Sequence, residues 1–135
     1  MKHIILSTLT AFMVLLTSSL FAEPVITNAP NDNPPVKVDV YYFHFTARCV
    51  TCKAVEEQAK ANVQSLYGEK VRFSSVNIEE ESGKELAKKL KVSGQALLIV
   101  KGKKQINITN QGFMYAKSNP EKFKSIIKEN IDPLL

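Results

Sequence analysis

The sequence predicts an α/β protein built as a three-layer sandwich, with helices on both faces of a mixed β-sheet. Two observations support this prediction. Nearly continuous apolar runs, typical of buried strands, alternate with segments whose apolar residues recur at helical spacing. The apolar run at 96–100 is followed by a glycine and a further strand pattern, which is typical of an antiparallel hairpin. The expected element order is therefore β-α-β-α-β-β-α.

The first strand is expected at residues 38–45, where β-branched and aromatic residues predominate. A helix over 49–67 follows, because its apolar residues lie three or four positions apart, and Gly68 is a suitable helix-ending residue. These apolar residues are Val55, Ala59, Val63 and Leu66. If the next strand is parallel to the first, the connection between them is a right-handed crossover.

The second half of the domain is expected to add three strands and two helices. The strand patterns lie at 71–78, 96–100 and 104–109, and Gly102 provides the turn between the last two. A short helix opens at Ser82 and Gly83. The final helix has Asn119 as its N-cap and Pro120 at its first position, which are the residue types that these positions favour.

Residues 1–22 have the pattern of a secretory signal peptide. Lys2 and His3 form a positively charged start, residues 4–16 are mostly apolar, and Ala22 is a small residue suited to the position before a cleavage site. The apolar stretch is too short to span a bilayer comfortably, which favours cleavage over anchoring. We therefore expect a periplasmic or secreted protein with no stable membrane anchor after cleavage.

Composition divides the remainder of the chain into a linker and a folded domain. Residues 23–35 contain four of the six prolines together with several asparagines, so we expect a linker there and a folded domain over 36–135.

Composition also excludes several classes of protein. A hydrophobic content of 44% and a charged content of 23% exclude disorder across the whole chain. Two cysteines are too few for a disulfide-rich scaffold or a four-cysteine zinc site. A net charge of +5 does not by itself indicate nucleic-acid binding, and no nucleic-acid partner is expected.

The strongest chemical signal is the C-x-x-C motif formed by Cys49 and Cys52, at the junction of the first strand and the first helix. This spacing places both sulfurs on one side of the first helical turn, close enough to form a disulfide. A helix N-terminus stabilises a thiolate, and Arg48 and Lys53 add positive charge beside it. Cys49 is expected to be the exposed nucleophile and Cys52 to resolve the mixed disulfide.

Several other readings of these residues stay open. The cysteines can form a structural bridge, although a four-residue loop constrains the unfolded chain little. They can bind copper(I) or zinc together with His44, although a histidine packed in the sheet is favoured, and no metal site is expected. Glu56 can accept a proton from Cys52, although the favoured interpretation is that Glu56 is solvated and pairs with Lys60, four residues later.

The domain resembles the thioredoxin-like superfamily from about residue 38 to residue 131. The matching segments are the cysteine motif with Lys53, 76–79 (VNIE), 86–92 (LAKKLKV), 96–101 (ALLIVK) and Gly102. The resemblance implies a thioredoxin fold. It also implies exchange of disulfides with protein thiols or disulfides, a redox partner and no bound cofactor.

Three positions depart from the superfamily pattern. Gln95 occupies the position where members usually have a cis-proline facing the cysteines, so the Gly94–Gln95 bond is expected to be trans and the substrate-facing loop at Gly94 and Gln95 to differ. Arg48 replaces the tryptophan that usually precedes the first cysteine. Phe43 replaces the buried aspartate that assists the resolving cysteine, so the usual proton acceptor is absent at that position.

Two functions of different classes follow. The first is an exported thiol–disulfide oxidoreductase that acts through Cys49 and Cys52. The alternative is a thioredoxin-fold binding module with a non-catalytic cysteine pair, which the three departures favour. A metal carrier is a third, minor hypothesis.

Overall fold

The computed structural model describes residues 37–135, which form four strands and four α-helices. The elements are β1 (Val38–His44), α1 (Val50–Tyr67), β2 (Val71–Asn77), α2 (Glu81–Lys89), β3 (Ala96–Lys101), β4 (Lys104–Asn107), α3 (Thr109–Tyr115) and α4 (Pro120–Ile131). The predicted order is therefore confirmed, with α3 as an additional helix. The predicted signal peptide and linker lie outside the described residues. Within 37–135, no helix is both long and apolar enough to cross a membrane.

The sheet is mixed and has the strand order β2-β1-β3-β4. β1 pairs with β2 in parallel, with Val40 opposite Phe73, and pairs with β3 antiparallel, with Tyr42 opposite Leu97. β3 and β4 form the predicted antiparallel hairpin. β1 and β3 are thus the two central strands, which explains why their sequences are almost continuously apolar.

Helices cover both faces of the sheet, as the three-layer prediction requires. On one face, α1 and α4 pack against β1 and β3 around large buried side chains. These include Tyr42, Val55, Leu97, Phe123 and Ile127. On the opposite face, α2 covers a smaller cluster that contains Phe43, Ala87 and Leu98. β1 contributes to both clusters because successive side chains of a strand point to opposite faces.

α2 approaches the sheet so closely that one position requires glycine. A Cβ atom on Gly83 would lie 1.9 Å from the carbonyl oxygen of Asn77, at the end of β2. No side chain fits at such a distance without a backbone shift. The helix begins at Glu81, one residue before the predicted opening at Ser82, and Gly83 serves packing rather than helix initiation.

The predicted strand at 104–109 was too long, and the helix that follows it was missed. Asn107 ends β4, because its side-chain oxygen accepts hydrogen bonds from the backbone N–H and the hydroxyl of Thr109. α3 begins at Thr109 and includes Gly112, which packs close to Val55 of α1 and Leu97 of β3. The glycine removes the side chain that would have shown helical periodicity. The predicted start of α4 is confirmed, since the Asn119 side chain accepts from Lys122 N–H at 3.1 Å.

Candidate functional site

Cys49 and Cys52 form a disulfide at the N-terminus of α1, with their Cα atoms 5.0 Å apart. β1 ends at His44, a short loop follows, and Cys49 is the N-cap of α1 with an extended backbone conformation. Its Sγ accepts a hydrogen bond from Cys52 N–H at 3.1 Å. An N-cap side chain lies beside the unpaired N–H groups of the first turn, where negative charge is stabilised. The position therefore suits a cysteine thiolate.

The two cysteines differ in exposure. Cys49 is exposed, whereas Cys52 is only 4% exposed. An incoming thiolate therefore reaches Cys49, and Cys52 is accessible mainly through its bond to Cys49. This geometry agrees with the predicted division of roles, which itself stays a prediction.

Tyr42 fixes the backbone beneath the motif through a contact that the sequence does not predict. Its Oη donates a hydrogen bond to the carbonyl oxygen of Cys52 at 2.9 Å, and the residue is fully buried. Burial raises the pKa of Tyr42 to about 12, with a further contribution from Glu56 that Arg48 partly opposes. Tyr42 therefore stays a neutral hydrogen-bond donor near pH 7. The sequence showed only an aromatic strand residue, because the partner lies on another element.

Arg48 forms an ion pair with Glu56, so the expected pairing of Glu56 with Lys60 was wrong. Arg48 lies just before the helix and reaches a carboxylate two turns along it, where both side chains are partly shielded from solvent. The pair places a negative charge next to Arg48. The positive potential that Arg48 adds at Cys49 is consequently smaller than its isolated charge suggests. Lys53 lies exposed on the first turn of α1.

Gln95 lies against the buried sulfur. Its side-chain Nε2 is 3.3 Å from Cys52 Sγ, and the two residues are 43 positions apart in the chain. The residues described include no cis peptide bond, so the Gly94–Gln95 bond is trans as predicted. The loop before β3 thus reaches the cysteines through the Gln95 amide side chain, where the superfamily usually has a proline ring.

His44 and Phe43 are packing residues at the end of β1. Nδ1 of His44 donates to the carbonyl oxygen of Phe45 at 2.8 Å, and the buried imidazole stacks on the Tyr42 ring. This agrees with the favoured interpretation of a histidine packed in the sheet. Among residues 37–135, no three His, Cys, Asp or Glu side chains are grouped as metal ligands. Phe43 is fully buried in the cluster beneath α2, so the position expected for an assisting aspartate holds a phenyl ring.

The surface beside the cysteines has two exposed apolar side chains and a groove. Val50, directly after Cys49, is 70% exposed, and Phe45 in the preceding loop is 39% exposed. A groove of about 410 Å³ lies beside the start of β3. Its lining includes Ser93, Gly94, Gln95, Gln105 and Asn107. Gln95 is therefore shared by the groove and by the contact with Cys52.

Comparisons with known proteins identify similar solved structures but no sequence family. No protein-family model matches the sequence, and no curated protein matches it. The germline-specific thioredoxin Deadhead of Drosophila melanogaster is 19% identical, with a TM-score of 0.48, over 70% of this chain and 81% of that one. Thioredoxin f2 of Chlamydomonas reinhardtii is 22% identical, with a TM-score of 0.49, over 73% of this chain and 82% of that one. Thioredoxin O2 of Arabidopsis thaliana is 22% identical, with a TM-score of 0.48, over 70% and 75%.

The strand order and directions agree with the fold that the sequence resemblance implied. A parallel β1-α1-β2 unit is joined to an antiparallel β3-β4 hairpin, a final helix follows, and a C-x-x-C disulfide lies at the N-terminus of α1. Residues 37–135 of this chain therefore have a thioredoxin-like fold with a C-x-x-C disulfide in the position typical of that fold.

Proposed function

We propose that this chain is an exported thiol–disulfide oxidoreductase that exchanges disulfides with protein substrates through Cys49 and Cys52. One observation supports the proposal above all others: Cys49 is exposed at the N-cap of α1 and is bonded directly to the buried Cys52. A bridge placed only for stability gains little from closing so short a loop. Exposure and a thiolate-stabilising helix end instead suit exchange.

The exchange proceeds in two steps in the reducing direction. The Cys49 thiolate attacks one sulfur of a substrate disulfide, that bond breaks, and the departing substrate sulfur leaves with the electron pair and takes up a proton. Cys52 then loses its proton to solvent and attacks Cys49 Sγ, which releases the second substrate sulfur. The substrate gains two electrons and the cysteine pair loses two. A thiol-containing redox partner reverses this oxidation.

Two features of the site favour a binding module as the second candidate. Phe43 leaves no carboxyl group at the position of the usual proton acceptor, and the Arg48–Glu56 pair replaces the usual flat aromatic surface beside Cys49. In such a module the exposed Val50 and Phe45 would contact a partner protein, and the disulfide would stay closed.

A redox titration separates these two candidates. We expect the pair to equilibrate with glutathione mixtures at about −270 to −120 mV, the range of catalytic pairs, and to exchange with a disulfide-containing peptide. Thiol alkylation followed by mass spectrometry measures the reduced fraction at each ratio. A pair that stays oxidised down to about −300 mV and forms no peptide adduct would instead indicate the binding module.

The proposed export depends on the N-terminal sequence and has its own test. Cleavage after Ala22 predicts a mature protein that begins at Glu23 or within a few residues of it, recovered outside the cytoplasm. Mass spectrometry of the intact protein measures this terminus. A matched variant with Leu9→Arg and Val14→Arg interrupts the apolar stretch and is expected to stay uncleaved. An unaltered chain that stays full length inside the cell contradicts the proposal.

A further inference from the structure

The Gln95 side chain makes a polar contact with a sulfur atom of the proposed reaction. Its Nε2 lies 3.3 Å from Cys52 Sγ, and its Oε1 lies 3.7 Å from the same atom. A disulfide sulfur has lone pairs and no proton, so the amide N–H is the donor of this contact. Cys52 is only 4% exposed, so water has little access to compete for the sulfur.

The backbone on one side of Gln95 is fixed by the sheet. Ala96 follows directly, is the first residue of β3, and pairs with Phe43 of β1. On the side of the sulfur, Cys52 is held by the Tyr42 hydrogen bond to its carbonyl oxygen. Two central strands and the first turn of α1 therefore place the amide and the sulfur together.

Opening of the disulfide places negative charge on Cys52. When a substrate thiolate attacks Cys49 Sγ, the Cys49–Cys52 bond breaks, and Cys52 Sγ leaves with the electron pair as a thiolate. Tyr42 contacts the Cys52 carbonyl rather than its sulfur, and Cys52 N–H points to Cys49 Sγ. In the described part of the chain, the Gln95 amide is thus the side-chain donor in contact with the departing sulfur.

We propose that Gln95 is a catalytic residue whose amide N–H stabilises the Cys52 thiolate, an inference that depends on the proposed function. A hydrogen bond to an ionised acceptor is roughly twice as strong as one to a neutral acceptor. The contact therefore strengthens when the disulfide opens. It speeds opening, because a more stable thiolate is a better leaving group. At a pH above the pKa of the Cys52 thiol it also shifts the equilibrium towards the reduced pair, because the reduced pair then carries the thiolate that Gln95 contacts. At the cis-proline position of the superfamily, this chain has a side chain with a hydrogen-bond donor.

Gln95→Leu tests the inference, with Gln105→Leu as its matched control. Leucine has nearly the same size as glutamine but no donor, and Gln105 lines the same groove without a hydrogen bond to either sulfur. At a pH above the pKa of the Cys52 thiol, we expect Gln95→Leu to shift the glutathione equilibrium towards the disulfide by about three- to tenfold, where tenfold corresponds to about 30 mV. Opening of the disulfide by a small thiol should slow by a similar factor. Gln105→Leu should match the wild type in both measurements.

The pKa of Cys52 gives an independent readout that a purely structural role would not change. In a Cys49→Ser background, removal of the Gln95 donor should raise the pKa of the Cys52 thiol. The absorbance of the thiolate as a function of pH measures this pKa. Gln95→Glu provides a second variant, because a carboxylate beside the sulfur should raise this pKa further than leucine does. It also replaces Gln95→Leu if the leucine variant does not fold.

The outcomes distinguish the inference from the proposed function. If the wild-type pair exchanges normally and neither Gln95 variant changes the potential or the pKa, the inference is wrong and the function stands. If the wild-type pair itself does not exchange disulfides, the proposed function is wrong, and the inference about Gln95 is wrong with it. A shift of equal size in Gln105→Leu also overturns the inference, because it would show a general effect of the groove.

Discussion

Cys49→Ser is expected to lower the rate of disulfide exchange by about a thousandfold or more, to the level of a chain without cysteines. Cys49 is the exposed cysteine of the pair, and a serine hydroxyl group at this position is not a comparable nucleophile near pH 7. The remaining Cys52 is buried and lies behind the first turn of α1. The rate is measured by the reduction of a peptide disulfide that releases a chromogenic thiol, whose absorbance is recorded over time.

Cys52→Ser provides the matched comparison and should behave differently. The exposed Cys49 still attacks the substrate, but no second thiol resolves the product, so a mixed disulfide accumulates. Mass spectrometry should show one peptide joined to each chain in Cys52→Ser and none in Cys49→Ser. Equal trapping by both variants would show that both sulfurs are reachable from solvent, which contradicts the asymmetry of the site.

The location of the cysteine pair was predictable because it depends on local sequence. The strand pattern before residue 45 and the helical spacing after residue 49 together place a C-x-x-C motif at a strand–helix junction. Separation by three residues on one turn then limits the distance between the sulfurs. The core strands were predictable for a similar reason, since their apolar residues form compact runs.

The contacts around the pair were not predictable because they depend on tertiary packing. The Gln95 amide approaches Cys52 across 43 residues, and no periodicity relates the two positions. Tyr42 lies on the first strand, as the sequence predicts, yet its hydroxyl group donates to a carbonyl oxygen of α1. Glu56 was expected to pair with Lys60 on its own helix, whereas the structure pairs it with Arg48 in the loop. The direction of the loop before α1 decides between them, and a single sequence does not give that direction.

At residue 43 the resemblance locates a buried position correctly, but the residue there has different chemistry from the one the superfamily usually has. Comparison with the superfamily pattern identified this position as that of a buried aspartate. The structure confirms that the position is buried, with Phe43 fully enclosed beneath α2. Its neighbours in this cluster are apolar, namely Tyr41, Val76, Ala87, Ala96 and Leu98 among others. The cluster has the composition of a core and would leave a carboxyl group without a partner.

Phe43→Asp is therefore expected to destabilise the domain by about 4 kcal/mol or more at pH 7, rather than to restore a proton acceptor. The substitution removes a buried ring, which costs about 3–5 kcal/mol when the ring is replaced by a small residue, and it also buries a polar group. Phe43→Leu is the matched control and should cost about 1 kcal/mol, because it keeps most of the apolar volume. Urea unfolding followed by circular dichroism measures both variants.

The pH dependence of this loss distinguishes a buried carboxylate from a simple cavity. Burial raises the pKa of the new aspartate above its unfolded value of about 3.9, because the charged form is disfavoured away from water. The electrostatic part of the loss is then complete above the folded pKa and shrinks as the pH falls towards the unfolded pKa. Phe43→Asp should therefore recover stability relative to Phe43→Leu between about pH 7 and pH 4. A constant difference between the two variants over this interval would mean that the carboxylate reaches solvent, and that the cluster beneath α2 opens more easily than its packing indicates.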